Sequence, residues 1–132
     1  MPQDVRWIQR LQNYQKALGW LEKTLEIRSP DVIQRAGMVQ FFEMTFELGW
    51  KLTKDFLEEQ GFTDVTTPRT ALKKAFEVGL IEDARGWLEG LDDRNLTSHT
   101  YDEAVAFKVE SLIRDHYLGL FQQLSRSLES RR

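Results

Sequence analysis

Between Phe41 and Leu52, apolar side chains fall on almost every face that a helix can present. Phe41, Phe42, Met44, Phe46, Leu48, Trp50 and Leu52 wrap most of the circumference, so this segment must be covered on nearly all sides. In a chain of 132 residues, few other helices are available to cover it. A second copy of the chain packed against the uncovered side is the simpler solution, and the pattern predicts a homodimer. The alternative is a central helix enclosed within a monomeric bundle.

The rest of the chain repeats the helical period. Trp7, Leu11, Tyr14, Leu18, Leu21 and Leu25 alternate four and three residues apart, which marks one apolar stripe. Ser29 before Pro30 reads as the cap of the second helix, and Gly61 after Gln60 as its left-handed end. Thr67-Pro68 starts a third helix that Gly79 closes, and Ile81, Trp87, Leu88 and Leu91 suggest a short fourth. Thr100 with Glu103 matches a capping box, followed by a last helix carrying Val105, Val109, Leu112, His116, Leu120 and Leu124 on one side. No segment keeps strand alternation and no repeat is visible. The expected fold is all-α: one domain over residues 1–132, an antiparallel four- to five-helix up-and-down bundle.

Several classes of chemistry fail on inventory. There are no cysteines, which removes disulfides and thiolate chemistry and suits a reducing cytoplasm. The net charge of −3 gives no general attraction for nucleic acid, so any phosphate contact must be local. No apolar leader or membrane-length run is present, and the default is a cytoplasmic protein. Two histidines seventeen residues apart do not make a zinc site, and no phosphate-cradling glycine loop appears, so neither metal nor cofactor is expected. Asp92, Asp93, Asp102 and Glu103 could hold magnesium but read better as caps and dipole partners. The four tryptophans read as core, His116 as a lone stripe histidine, and Lys51, Lys54, Lys73 and Lys74 as a solvated face.

One stretch stands apart, Arg94-Asn95-Leu96-Thr97-Ser98-His99-Thr100-Tyr101. On a straight α-helix Arg94 and His99 would lie about 140° apart. A bend between them could bring both to the positive end of the last helix, which favours an anion. Arginine offers a fork of donors to phosphate, and histidine can exchange a proton near neutrality. That pair suits metal-free RNA cleavage by the neighbouring 2′-hydroxyl. Spacing equally allows Arg94 to pair with Asp92 or Asp102 while His99 caps a helix.

The segment from Asp93 to Glu103 resembles the hallmark of the nucleotidyltransferase substrate-binding proteins, helical bundles of the HEPN superfamily. Thr45-Phe46-Glu47-Leu48-Gly49-Trp50-Lys51, Thr67-Pro68-Arg69, Gly79-Leu80-Ile81 and Trp87-Leu88 carry the same resemblance in the same order, so it covers nearly the whole chain. It implies a partner, a separate minimal nucleotidyltransferase (MNT), with which the chain would form a hetero-oligomer.

In such proteins an arginine, four to six residues and a histidine form the active site of a metal-independent ribonuclease, usually across a dimer interface. Arg94 and His99 match that motif, Asn95 matches the polar residue after the arginine, and Tyr101 matches a tyrosine to which the antitoxin partner attaches AMP. The resemblance thus implies the toxin-like half of a two-gene toxin–antitoxin module, with RNA as its ligand. It equally allows a non-catalytic subunit that presents substrate or nucleotide to the partner.

Overall fold

The computed structural model describes residues 2–132, with side chains from Arg6 onward. Helix α1 (Pro2–Leu25) lies along α2 (Val32–Glu59), and α3 (Pro68–Glu77) and α4 (Ala84–Asp93) follow as shorter rods. A 3₁₀ segment (Arg94–His99) then leads to α5 (Glu103–Leu112), which passes through a π-helical turn (Ile113–Tyr117) into α6 (Leu118–Glu129). Since α5 and α6 form one rod, the bundle has five, with no strand among the described residues.

Local chemistry sets most of the ends. Thr67 and Thr70 form a reciprocal cap with Pro68 at the first helical position, and Gly61 and Gly79 take positive φ after α2 and α3, as the sequence predicts. The start of α2 differs. Asp31, not Ser29, caps it, accepting from the Gln34 amide while the Gln34 side chain accepts from the Asp31 amide. A reciprocal box satisfies two orphan donors where a serine before proline satisfies one, so the helix begins two residues later.

The last rod corrects the predicted stripe. The π turn admits an extra residue and shifts the phase, so Val109, Ile113, Tyr117, Phe121, Leu124 and Leu128 face the core. Leu112 and His116 are displaced to its margin.

Helix α2 is central, contacting α1, α3, α5 and α6. Phe42 and Phe46 are fully buried, Phe41, Leu48 and Trp50 are half-buried against the core, and Met44 is half-buried. The apolar circumference that predicted a second chain is therefore covered largely from within one chain. What remains exposed lies at one end, where Val32 and Ile33 open α2 and Phe107 stands on α5.

Around α2 the aromatic rings interlock. Phe46 meets Trp87 at 5.4 Å between centroids, Trp87 meets Phe121 at 5.5 Å, and Phe42 meets Tyr117 at 5.3 Å. Tyr14 completes the layer by donating its hydroxyl to the Phe121 carbonyl at 2.8 Å. Such packing requires a backbone without a side chain at Gly90, where a Cβ would stand 2.5 Å from Phe46.

The loop between α1 and α2 is tied down by charge. Glu110 accepts from Arg35 and from Arg114, each at 2.9 Å. The two guanidinium groups also reach the carbonyls of Leu25, Ile27 and Pro30. Burial alone would raise the Glu110 carboxyl, but the hydrogen bonds from Arg35 and Arg114 outweigh it and hold the group below the usual glutamate range.

Two predictions follow from this packing. Gly90→Ala should cost about 1–3 kcal/mol by overpacking against Phe46, read as a lower urea midpoint at unchanged slope. The Glu110 contribution is complete above its unfolded pKa of about 4.3 and fades as pH falls through the lower folded value. Wild type should therefore lose more stability than Glu110→Gln on acidification below that point; parallel losses in urea melts at both pH values would refute it.

Candidate functional site

The motif lies on the 3₁₀ segment and the two residues after it. Three hydroxyls explain that tight winding: Thr97 bonds the Arg94 carbonyl at 2.6 Å, Ser98 that of Asn95 at 3.0 Å, and Thr100 that of Thr97 at 3.3 Å. Each reaches three residues back, which competes with the α-helical pattern. The predicted Thr100–Glu103 capping box is therefore absent. Thr100 is spent on Thr97, and Asp102 caps α5 through the Ala104 amide at 2.9 Å. The helix N-terminus that the sequence offered to an anion already holds the Asp102 carboxylate.

Arg94 turns inward. Its Nη2 meets Glu47 Oε2 at 2.9 Å, and its guanidinium sits 5.2 Å from the centre of the Phe46 ring. Lys51, one turn further along α2, holds the other oxygen of Glu47 at 3.2 Å. Burial would lift Glu47, but the bonds it accepts, led by Lys51, and the nearby charge of Arg94 bring it below the usual range. Neither Asp92 nor Asp102 is the partner that spacing suggested. Asp92 pairs with Arg69 at 3.1 Å.

His99 turns outward. It is exposed, and its Nδ1 stands 3.5 Å from the Tyr101 hydroxyl, with the rings edge to face at 6.0 Å. Tyr101 is 86% exposed and Asn95 is exposed beside Arg94. No hydrogen bond or ion pair joins Arg94 to His99 among the described residues. On a 3₁₀ helix, five residues advance about 10 Å along the axis and leave the two side chains about 120° apart. The expected bend is thus a tighter helix, which does not bring the pair together within one chain.

Glu47 and Lys51 belong to this site although the inventory passed over Glu47 and placed Lys51 on a solvated face. The legible signal was an acid and a base four residues apart on a helix otherwise apolar all round. Asp93 is a second supporting group. It accepts a hydrogen bond from Tyr117, whose hydroxyl is pushed far above its ordinary pKa by burial first and then by that bond. The phenol therefore remains a donor and pins the residue before Arg94 to the π turn. Among the described residues no group of three metal-ligating side chains converges, and no helix is long and apolar enough to cross a membrane.

Comparisons with known proteins agree on one relationship. Residues 9–130 match the family model described as "Nucleotidyltransferase substrate binding protein like". A Haemophilus influenzae protein named "Probable ribonuclease HepT" is 35% identical, over 65% of this chain and 64% of its own length, so the chain spans about two thirds of that curated relative. A solved H. influenzae structure, described as revealing the fold of a substrate binding domain of a nucleotidyltransferase, is 31% identical. It superposes with a TM-score of 0.80 over 90% of this chain and 98% of its own. A Thermus thermophilus structure is 36% identical, with a TM-score of 0.76 over 84% and 94%.

Tyr117→Phe should cost about 1–3 kcal/mol by leaving the Asp93 carboxylate short of a donor. Amide exchange in residues 94–99 should speed up more than exchange in α1; a uniform change would show that the bond does not anchor the motif.

Proposed function

This chain belongs to the nucleotidyltransferase substrate-binding protein family, and from that premise we propose that it is the toxin-like partner of a minimal nucleotidyltransferase, a metal-independent endoribonuclease silenced by AMP attached to Tyr101. The observation that carries this reading is the exposed pair His99–Tyr101, on the same short segment as an arginine that Glu47 holds apart from it. Neither His99 nor Tyr101 has a packing task that explains its place.

In this reading His99 is the general acid or base, and Arg94 stabilises the charge that develops on phosphate as the 2′-hydroxyl attacks. Asn95 orients one of them or the substrate. Glu47 holds the Arg94 fork in the free chain, and a phosphodiester draws it away. Because Arg94 and His99 diverge within one chain, the working site is completed by a second copy. The exposed apolar end formed by Val32, Ile33 and Phe107 supplies a face for that homodimer.

The partner's reaction balances simply. The Tyr101 hydroxyl oxygen attacks the α-phosphorus of ATP and loses its proton to a base. The bond from that phosphorus to the bridging oxygen breaks, and pyrophosphate leaves with the electron pair.

The second reading, a non-catalytic subunit that presents nucleotide or substrate to the partner, is favoured by the engagement of Arg94 with Glu47 and its separation from His99.

Purified chain should cut single-stranded RNA in EDTA, and His99→Ala should lower the rate by about 10²-fold or more. RNA left intact, with partner-dependent nucleotide transfer, would establish the non-catalytic reading. Mass spectrometry after incubation with partner and ATP should place one AMP on Tyr101; an unmodified tyrosine sinks the silencing step. Sedimentation should give a dimer that Ile33→Glu weakens.

A further inference from the structure

We propose that the groove between the first turns of α2 and α5 is a seat for an adenine nucleotide, and that the adenylate carried by Tyr101 lies in it. The second half of this statement rests on the silencing reading above; the seat itself rests on its own geometry.

The groove has a volume of about 440 Å³, within the usual range for small-molecule sites. Val32, Ala36 and Val39 from α2 and Ala106 from α5 give it an apolar floor. A floor of small aliphatic side chains accepts the flat face of a purine but offers nothing to a hydrated sugar alone.

Its polar groups stand at the edges. Glu103 is an acceptor, suited to ribose hydroxyls or an exocyclic amine. Arg35 is nine-tenths buried, with Phe107 4.4 Å over its guanidinium. Its Nε and Nη2 are committed to Glu110 and to the Pro30 carbonyl, which leaves Nη1 without a protein acceptor among the described residues. Arg35 and Arg114 share the carboxylate of Glu110, and the Glu103 carboxylate balances the remaining charge across the groove, so its two edges are of opposite sign, cationic at Arg35 and anionic at Glu103. A nucleotide matches that polarity, with its phosphate toward the Arg35 edge and its ribose hydroxyls or amine toward Glu103.

Tyr101 lines the same groove. In a tyrosyl adenylate, one phosphate and one ribose separate the phenol oxygen from the base. The base can therefore settle only on a surface that Tyr101 itself borders, and this groove is such a surface. The same tether leaves the phosphodiester beside His99, since the Tyr101 hydroxyl is 3.5 Å from Nδ1. A base anchored in the groove would thus fix the phosphate where it blocks the imidazole, which gives silencing a physical cause beyond the lost phenol.

The test is a methyl-detected NMR titration of the unmodified chain with AMP, repeated on Ala36→Phe and on the chain adenylated by its partner. Ala36 is exposed on α2, so a phenyl group there fills the groove without entering the core. Low-millimolar AMP should shift the Val32, Ala36 and Val39 methyls of the wild type, and Ala36→Phe should weaken this at least about tenfold at an unchanged melting temperature. Adenylation should move the same methyls, with Overhauser contacts to the adenine ring.

Absent shifts with free AMP, or shifts elsewhere, overturn the seat. So do Ala36 and Val39 methyl shifts that follow protein concentration instead of AMP, which would give the groove itself, and not only the Val32 edge it shares with the dimer face, to a second copy. Free AMP seated in the groove of a chain never modified on Tyr101 leaves the seat standing and removes the silencing step. A modified Tyr101 with unmoved groove methyls does the reverse.

Discussion

Phe46 joins the core of this protein to its site. Its ring is fully buried against Phe42, Trp87 and Phe121, fits under Gly90, and carries the Arg94 guanidinium above it. The next residue, Glu47, grips the same guanidinium. Core packing at one position of α2 therefore fixes where the arginine of the motif can stand. The aromatic layer is close-packed and cannot shift by a fraction of an ångström without strain. That rigidity passes to the site through neighbouring residues of one helix.

Rigidity on one side of the motif is matched by exposure on the other. Arg94 is paired, stacked and half-covered, while His99 and Tyr101 face solvent five and seven residues later. A 3₁₀ segment held by three hydroxyl-to-carbonyl bonds turns the chain from one setting to the other. Tyr117, through Asp93, moors its start to the last rod. The motif is thus divided between one group held by the core and two open to solvent.

Much of this was legible residue by residue. Thr67-Pro68, Gly61 and Gly79 mark their helix ends because proline and positive φ leave the backbone little choice. The apolar stripe of α1 is buried from Trp7 to Leu21 as its spacing implies. The failures have separate causes. Ser29 and Thr100 are good caps locally, but Asp31 and Asp102 sit nearby and make stronger ones, and local preference cannot rank such neighbours. Leu112 and His116 fit the stripe until one π turn changes the phase, and a π turn has no sequence period to betray it. Trp20 and Trp50, expected in the core with the other tryptophans, reach only its edge.

The sequence by itself determined an all-helical chain, the approximate ends of its rods and the resemblance that names its family, and it singled out residues 94–101 as the candidate site. These depend on period, on backbone-restricting residues and on a motif written in consecutive positions. Only the tertiary structure decided that α2 is covered mainly from within one chain, that Arg94 belongs to Glu47 and Phe46, and that Tyr101 borders a groove with Arg35 at its edge. The last two join residues 47 to 66 positions apart along the chain. Such pairs are set by which faces of the rods meet, and a one-dimensional pattern of apolar and charged residues leaves that choice open until the rods are packed.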